Sequence, residues 1–138
     1  YHRKLTEGSV EEKLKAARAW SQYEGSCSTL MPSPDTVAAF GQDNMALGLA
    51  RIEAHYFINE LFMAKNALLD NIDRIRHIPG VIIQGRYDMV CPIVTADELH
   101  QRWPEAEYHV IPDAGHSAMD PGVRKALINA TENFKDRL

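Results

Sequence analysis

One stretch limits what this chain can fold into more than any other. It is Val81-Ile82-Ile83-Gln84-Gly85-Arg86-Tyr87-Asp88, entered through Pro79-Gly80 and left through Met89-Val90-Cys91-Pro92. Proline and glycine interrupt whatever precedes it. Three β-branched residues in succession then read as a short, fully buried strand. Gly85 ends the strand and leaves Asp88 on the loop beyond its C-terminal end, the edge at which open parallel sheets bind ligands. A carboxylate there can orient a histidine, bind a metal or cap a turn.

Tyr108-His109-Val110-Ile111 is a second short strand. The loop Pro112-Asp113-Ala114-Gly115-His116-Ser117-Ala118 carries His116 just past its end. Two successive strands, each delivering one such residue at the same edge with the acid first, follow the chain order of α/β-hydrolases. "GVIIQGRYDMVCP" and "IPDAGHSA" match the catalytic core of one family in that fold, and "ARAWSQYEG" and "ARIEAHYF" match its helical cap. On these motifs the chain resembles the C-terminal part of a proline iminopeptidase, over nearly its whole length. The combination is specific, whereas a lone GxxD or GH is not.

At 138 residues the chain is long enough for one ordinary domain with a real core, but short for a complete α/β-hydrolase with a cap. Hydrophobic and charged contents of 45% and 25% are those of a globular soluble protein. A net charge of −4 argues against nucleic acid or an anionic membrane as partner. No apolar run approaches the roughly 20 residues that cross a bilayer. Cys27 and Cys91 lack metal-ligand spacing and read as two thiols of a cytoplasmic protein, with a disulfide left open. The six histidines form no HExxH pattern and no pair with a carboxylate at metal spacing. No metal and no cofactor are expected.

The first 76 residues read as helical. Tyr1 to Gly8 is polar, begins without a start methionine, and reads as continuing from something upstream. Ser9-Val10-Glu11-Glu12 is a capping box. It opens a helix to about Tyr23 with Val10, Leu14, Ala17 and Trp20 or Ser21 inward, and Gly25 at the stop. Pro32-Ser33-Pro34-Asp35 marks a loop over 31–41. A helix over about 43–59 turns Met45, Leu49, Ile52 and Tyr56 inward. Another over 61–76 buries Leu61, Leu68, Ile72 and Ile75, with Asp70, Asp73, Arg74 and Arg76 in solvent. Thr95-Ala96-Asp97-Glu98 is a second capping box, opening a helix that Trp103-Pro104 ends. Asp120-Pro121 caps the last helix, which carries Val123, Leu127, Ala130 and Phe134 on one face. The fold class is α/β. A helical cap portion over 1–76 precedes the last strand–helix–strand–helix of a doubly wound hydrolase sheet over 77–138, its strands joined by a right-handed crossover.

The resemblance implies a serine aminopeptidase that releases N-terminal proline from peptides. It implies Asp88 as the triad acid, fixing the imidazole tautomer, and His116 as the base that takes the serine proton and returns it to the leaving amine. It also implies two ligands for the substrate's amine. Glu24 stands in "QYEG" where the family has "WEG", and Glu53 stands in the intact "ARIEAHYF". Position alone favours a solvated surface role for Glu24, at a helix C-terminus. Glu53 falls on the edge of its helix's apolar stripe, turned outward or held for a cation. Two convergent carboxylates in a dry pocket suit a cationic terminal amine, so the expected partner is a peptide or aminoacyl substrate with a free N-terminal amine. Arg51 and His55 acquire no role.

A nucleophile is missing. The sequence holds no G-x-S-x-G elbow: Ser26 and Ser28 follow no strand, and Ser117 follows the histidine itself. A HGGPG-like oxyanion segment is missing as well. The chain is therefore expected to be a C-terminal piece of the enzyme, inactive alone, and to self-associate through an exposed sheet edge or the apolar surface that the missing core would cover. Two rival readings stay open. One is another capped α/β-hydrolase, such as an epoxide hydrolase or an esterase, which shares Asp88 and His116 but needs neither Glu24 nor Glu53. The other is a non-catalytic, self-associating fragment.

Overall fold

The computed structural model describes residues 1–135, so the last three positions of the segment expected over 77–138 lie outside the described residues. The chain divides into two compact units. One comprises Tyr1–Ser26 and Met31–Lys65, the other Cys27–Leu30 and the described residues from Asn66 onward.

The first unit is helical: α1 (His2–Thr6), α2 (Val10–Ser28, its last two residues belonging to the second unit), α3 (Pro34–Phe40) and α4 (Asp43–Ile58). The capping box forms as expected. The Ser9 amide donates to Glu12 Oε2 at 2.9 Å, and the Glu12 amide donates to Ser9 Oγ at 3.2 Å. These contacts, the backbone bond first, hold the Glu12 carboxyl below its ordinary range. Gly25 does not stop α2, which runs through it to Ser28. Its small size serves packing instead, because a β-carbon there would meet the Phe40 ring at 3.0 Å. The expected loop over 31–41 contains α3. Ser33 accepts from the Thr36 amide and Pro34 takes the first turn, a helix-start signal inside a Pro- and Ser-rich stretch.

The core of this unit is built from small residues. Leu5, Ala16, Ala17, Ala46, Ala50 and Ala54 form one buried cluster, with Trp20 and Leu47 against it. The buried face of α4 is thus the alanine row at four-residue spacing. The larger stripe expected to face inward is exposed at Met45, Ile52 and Tyr56, and Val10 of α2 is 75% exposed. Alanines let two helix backbones approach closely. Ser21 Oγ, fully buried, donates to the Ala46 carbonyl at 3.1 Å, and Arg18 Nε reaches Asp43 Oδ1 at 2.8 Å.

The helix expected over 61–76 is broken. Glu60, Leu61 and Phe62 have φ of 49°, 57° and 57°, and left-handed backbone at a non-glycine residue costs roughly 1–2 kcal/mol each, so α4 cannot continue through them. Beyond lie a short α5 (Ala67–Asp70) and a single 3₁₀ turn over Ile72–Arg74. Of the four apolar residues expected inside, only Ile72 is buried. Arg76, expected in solvent, is half-buried and ion-paired with Asp73 and Glu105.

The second unit has the expected strand–helix–strand–helix order: β1 (Val81–Gly85), α6 (Ile93–Arg102), β2 (Glu107–Ile111) and α7 (Pro121–Lys135). The strands pair in parallel from Val81↔Glu107 to Gly85↔Ile111, which requires a crossover such as α6. α6 packs on β1, and α7 packs on both strands. Val81, Ile82 and Ile83 are half-buried rather than fully buried, and the buried residues of β1 are Gln84 and Gly85. A two-stranded sheet has too little surface to enclose a central strand. α6 begins two residues before the predicted Thr95 cap, and Thr95 instead hydrogen-bonds back to the Pro92 carbonyl at 2.8 Å. The helix ends at Trp103 as expected. In α7, Val123 is buried while Leu127 is 40% exposed.

Candidate active site

The two loops past the C-terminal ends of β1 and β2 are laced together by backbone. The Arg86 amide donates to the Ile111 carbonyl at 2.9 Å, and the Tyr87 amide to the Ala114 carbonyl at 3.0 Å. Gly85 lets the second loop lie directly on the first, since a β-carbon there would stand 1.9 Å from the Gly115 carbonyl oxygen. The second loop is held on its other side too. The Gly115 amide donates to Asp120 Oδ2 at 2.7 Å, and the Ser117 amide to the Ser28 carbonyl at 2.7 Å. Asp120 was expected as a helix cap. Its carbonyl does accept the first helical bond, from the Arg124 amide, but its carboxylate serves Gly115.

This lacing brings Asp88 and His116 together, 28 residues apart in sequence. His116 Nδ1 lies 3.0 Å from Asp88 Oδ2. The Asp88 side chain is 7% exposed and that of His116 37%. Asp88 Oδ1 accepts the Val90 and Cys91 amides at 2.9 and 2.7 Å. An ionised carboxylate is an acceptor only, so Nδ1 is the donor in this pair. The neutral imidazole then presents a lone pair at Nε2, the arrangement of a base oriented by an acid. Burying a carboxylate is costly unless its oxygens are satisfied, and here backbone and imidazole satisfy both.

A family model described as alpha/beta hydrolase fold matches residues 6–123. The chain belongs to the α/β-hydrolase fold family. Among curated proteins, the chain is 50% identical over 135 residues to a probable proline iminopeptidase of Leptolyngbya boryana, covering 97% of the chain and 42% of that protein. It is 45% identical over 136 residues to a proline iminopeptidase of Arabidopsis thaliana, covering 98% and 36%. It is 41% identical over 139 residues to one of Neisseria gonorrhoeae, covering 100% and 43%. The chain thus spans about two-fifths of the length of these relatives.

The other two predicted site residues lie in the helical unit. Glu53 of α4 is half-buried, and its Oε2 accepts from Trp20 Nε1 at 2.6 Å. Glu24 is half-buried on α2, inside the helix rather than at its end. Trp20 and Glu24 are four residues apart on one helix and therefore share a face. Glu53, bound to Trp20, is thereby drawn to the side of α2 that carries Glu24. Around Trp20 stand Tyr1, edge-on at 5.2 Å, and Phe57 at 6.1 Å. A groove of about 480 Å³ in the same unit is lined by His2, Arg51, His55 and Tyr56 among others, but by neither glutamate.

Ser26 Oγ is engaged with the Gln22 carbonyl at 2.6 Å, and Ser28 is buried. Cys27 and Cys91 are thiols. Among the described residues no group of three or more His, Cys, Asp or Glu side chains could hold a metal, and no helix is long and apolar enough to cross a membrane. Sequence reading missed two residues that touch the predicted ones. Trp20 was read only as core, and its hydrogen-bond partner is a long-range matter. Gln84 did carry a signal, as the one polar residue in an otherwise apolar strand, immediately before the turn.

Proposed function

We propose that this chain is the C-terminal part of a proline iminopeptidase, a serine hydrolase whose nucleophile and oxyanion hole come from residues outside this chain. The observation that carries the reading is the Asp88–His116 pair at 3.0 Å, on a chain that relatives named proline iminopeptidase match over nearly its full length. His116 Nε2 takes the proton of the serine hydroxyl as the oxygen attacks the carbonyl of the N-terminal residue. The same nitrogen gives that proton to the departing amine as the C–N bond breaks, leaving an acyl-enzyme. Water, deprotonated by His116, then attacks the acyl carbonyl; the C–O bond to serine breaks and serine recovers a proton. Asp88 holds the imidazole in the Nδ1–H tautomer and stabilises its cation. Glu24 and Glu53 bind the ammonium of a peptide or aminoacyl substrate.

Prolyl arylamide hydrolysis by the full-length protein tests this. Asp88→Asn and His116→Ala are each expected to lower kcat on the order of 10⁴-fold, and the 138-residue chain alone to show no turnover. Near wild-type rates in either variant would hand the roles to other residues. A full-length protein that cleaves simple esters but no prolyl arylamide would make it a different α/β-hydrolase.

Two further assignments go with this reading. The edges of the two-stranded sheet, where a further strand can pair, support self-association of the isolated chain, and the exposed Tyr56, Phe57, Ile58, Leu61 and Phe62 add apolar surface to it. A monodisperse monomer by sedimentation at high concentration would remove it. The thiols of Cys27 and Cys91 support a cytoplasmic location, which recovery from an oxidising compartment on cell fractionation would refute.

A further inference from the structure

Gln84 stands at the end of β1 with its side chain turned under the loop that carries Asp88. Only 9% of the residue is exposed. Its Nε2 lies 3.2 Å from the Gly85 carbonyl, 3.1 Å from the Cys91 carbonyl and 3.4 Å from Asp88 Oδ2. Gly85 and Cys91 are the two ends of the loop, and Asp88 is its middle. One amide group with two hydrogens is therefore shared among three acceptors on a single turn. The Asp88 oxygen that it approaches is the one that accepts from His116. The other, Oδ1, is fixed by the Val90 and Cys91 amides.

We propose that Gln84 is a positioning residue, holding the Asp88 carboxylate in the rotamer and loop conformation that selects the Nδ1–H tautomer of His116. The physical case rests on one donor group reaching three points of the same loop. The Gly85 carbonyl also accepts the Asp88 amide at 3.3 Å, so the start of the loop is bound to its middle through the backbone as well. Inside a protein a hydrogen bond is stronger than in water, and a donor shared among several acceptors ties together every group it touches. Gln84 ties the loop's start, middle and end from inside. Asn is too short to span to Cys91. Glu has the right length but cannot donate when ionised, and it would place a second negative charge against Asp88. Only an amide of this length meets all three acceptors.

The test has two arms. The first uses the 138-residue chain and is independent of activity. The imidazole ¹⁵N shifts of His116 above its titration range report the tautomer, and amide exchange of Val90 and Cys91 reports the loop. The wild type is expected to hold the Nδ1–H tautomer with both amides protected. Gln84→Met, which keeps the volume and removes the donors, is expected to give a mixture of tautomers and faster exchange at those two amides, with the amide spectrum of α1–α4 unchanged. A folded Gln84→Met chain with the wild-type tautomer and unaltered exchange overturns the proposal. Should Gln84→Met fail to fold, Gln84→Glu near neutral pH takes its place. The same changes are expected of it, and a wild-type tautomer with unaltered exchange overturns the proposal there too.

The second arm rests on the aminopeptidase reading. In the full-length protein, Gln84→Met is expected to lower kcat on the order of 10²-fold per titrated acyl site, the scale of a misplaced group, with KM within about two-fold. A merely structural role would lower the number of titratable sites and leave kcat per site intact, and that outcome also overturns the proposal. A wild-type protein without prolyl arylamide activity would count against the aminopeptidase reading alone, and the tautomer measurement would still decide for or against Gln84.

Discussion

A β-carbon on Gly85 would stand 1.9 Å from the carbonyl oxygen of Gly115. The loop after one strand rests on the backbone of the loop after the other, and this contact sets the distance at which Asp88 and His116 meet. Gly85→Ala must therefore push two backbones apart. The expected loss of stability is about 3 kcal/mol or more, at the upper end of overpacking costs. Gly48, in the middle of α4, is the control: nothing lies within 4 Å of its added β-carbon, and Gly48→Ala should stabilise by about 0.5–1 kcal/mol from helix propensity. Urea unfolding of both variants checks the pair, and equal effects would mean that the Gly85 contact relaxes freely.

Glu24 and Glu53 should act on the substrate's amine rather than on bond cleavage. A cationic amine loses its hydration on binding, and fixed carboxylates must replace it. Removing either charge is expected to cost about 2–5 kcal/mol in transition-state binding if the pair is desolvated. Glu53→Gln is informative because its amide oxygen can still accept from Trp20 Nε1, so the packing survives while the charge goes. In the full-length protein, kcat/KM for an aminoacyl ester should fall in both Glu→Gln variants, while an ester without an amine should be nearly indifferent. Equal losses on both substrates would indicate damage to the fold, and no loss on either would return both residues to the surface.

Cys91 is exposed, and its amide and carbonyl both belong to the frame around Asp88. A bulky adduct on its sulfur should drag that frame. Stoichiometric maleimide labelling of the full-length protein in a Cys27→Ser background is expected to depress kcat severely. Full activity after labelling confirmed by mass would dispose of the idea.

Arg76 binds both oxygens of Glu105, with its Nε at 2.9 Å from Oε2. Hydrogen bonding from Arg76 is the main cause that holds the Glu105 carboxyl below its ordinary value of 4.5. A carboxyl depressed in the folded state stabilises that state above its unfolded pKa, and the contribution fades as pH falls through the folded value. The advantage of the wild type over Arg76→Gln should thus be constant near neutrality and shrink progressively below about pH 4.5. Urea midpoints at a series of pH values check this. The pair is at the surface, so salt should weaken it as well. A gap that persists at full size far into acid would point to packing of the Arg76 stem.

The local rules of the sequence were enough for much of this. The Ser9/Glu12 capping box forms because both partners lie within one helical turn. The two strands, the stop at Trp103-Pro104 and the helix opening at Pro121 likewise depend on neighbours within a few residues. The order of acid and histidine, read with the motifs around them, was enough to bring Asp88 and His116 forward as a pair. Short-range signals failed where a long-range contact outvoted them. Gly25 reads as a helix stop, yet it lies inside α2 because Phe40 packs where a side chain would be. The apolar stripe of α4 reads as Met45, Ile52 and Tyr56, yet the alanines at 46, 50 and 54 are buried, since close approach of α2 favours small residues over large ones. Asp120 reads as a cap, but its carboxylate answers Gly115. Trp20 gained its partner, Glu53, only when a distant segment arrived, whereas Gln84 finds its acceptors within seven residues, once the loop has folded back over it. Hydrogen-bond caps, strand propensity and breakers act along the chain and are therefore written in it. Which side chain fills a given space, and which polar atom satisfies another across 28 or 33 residues, depends on packing that only the tertiary structure decides.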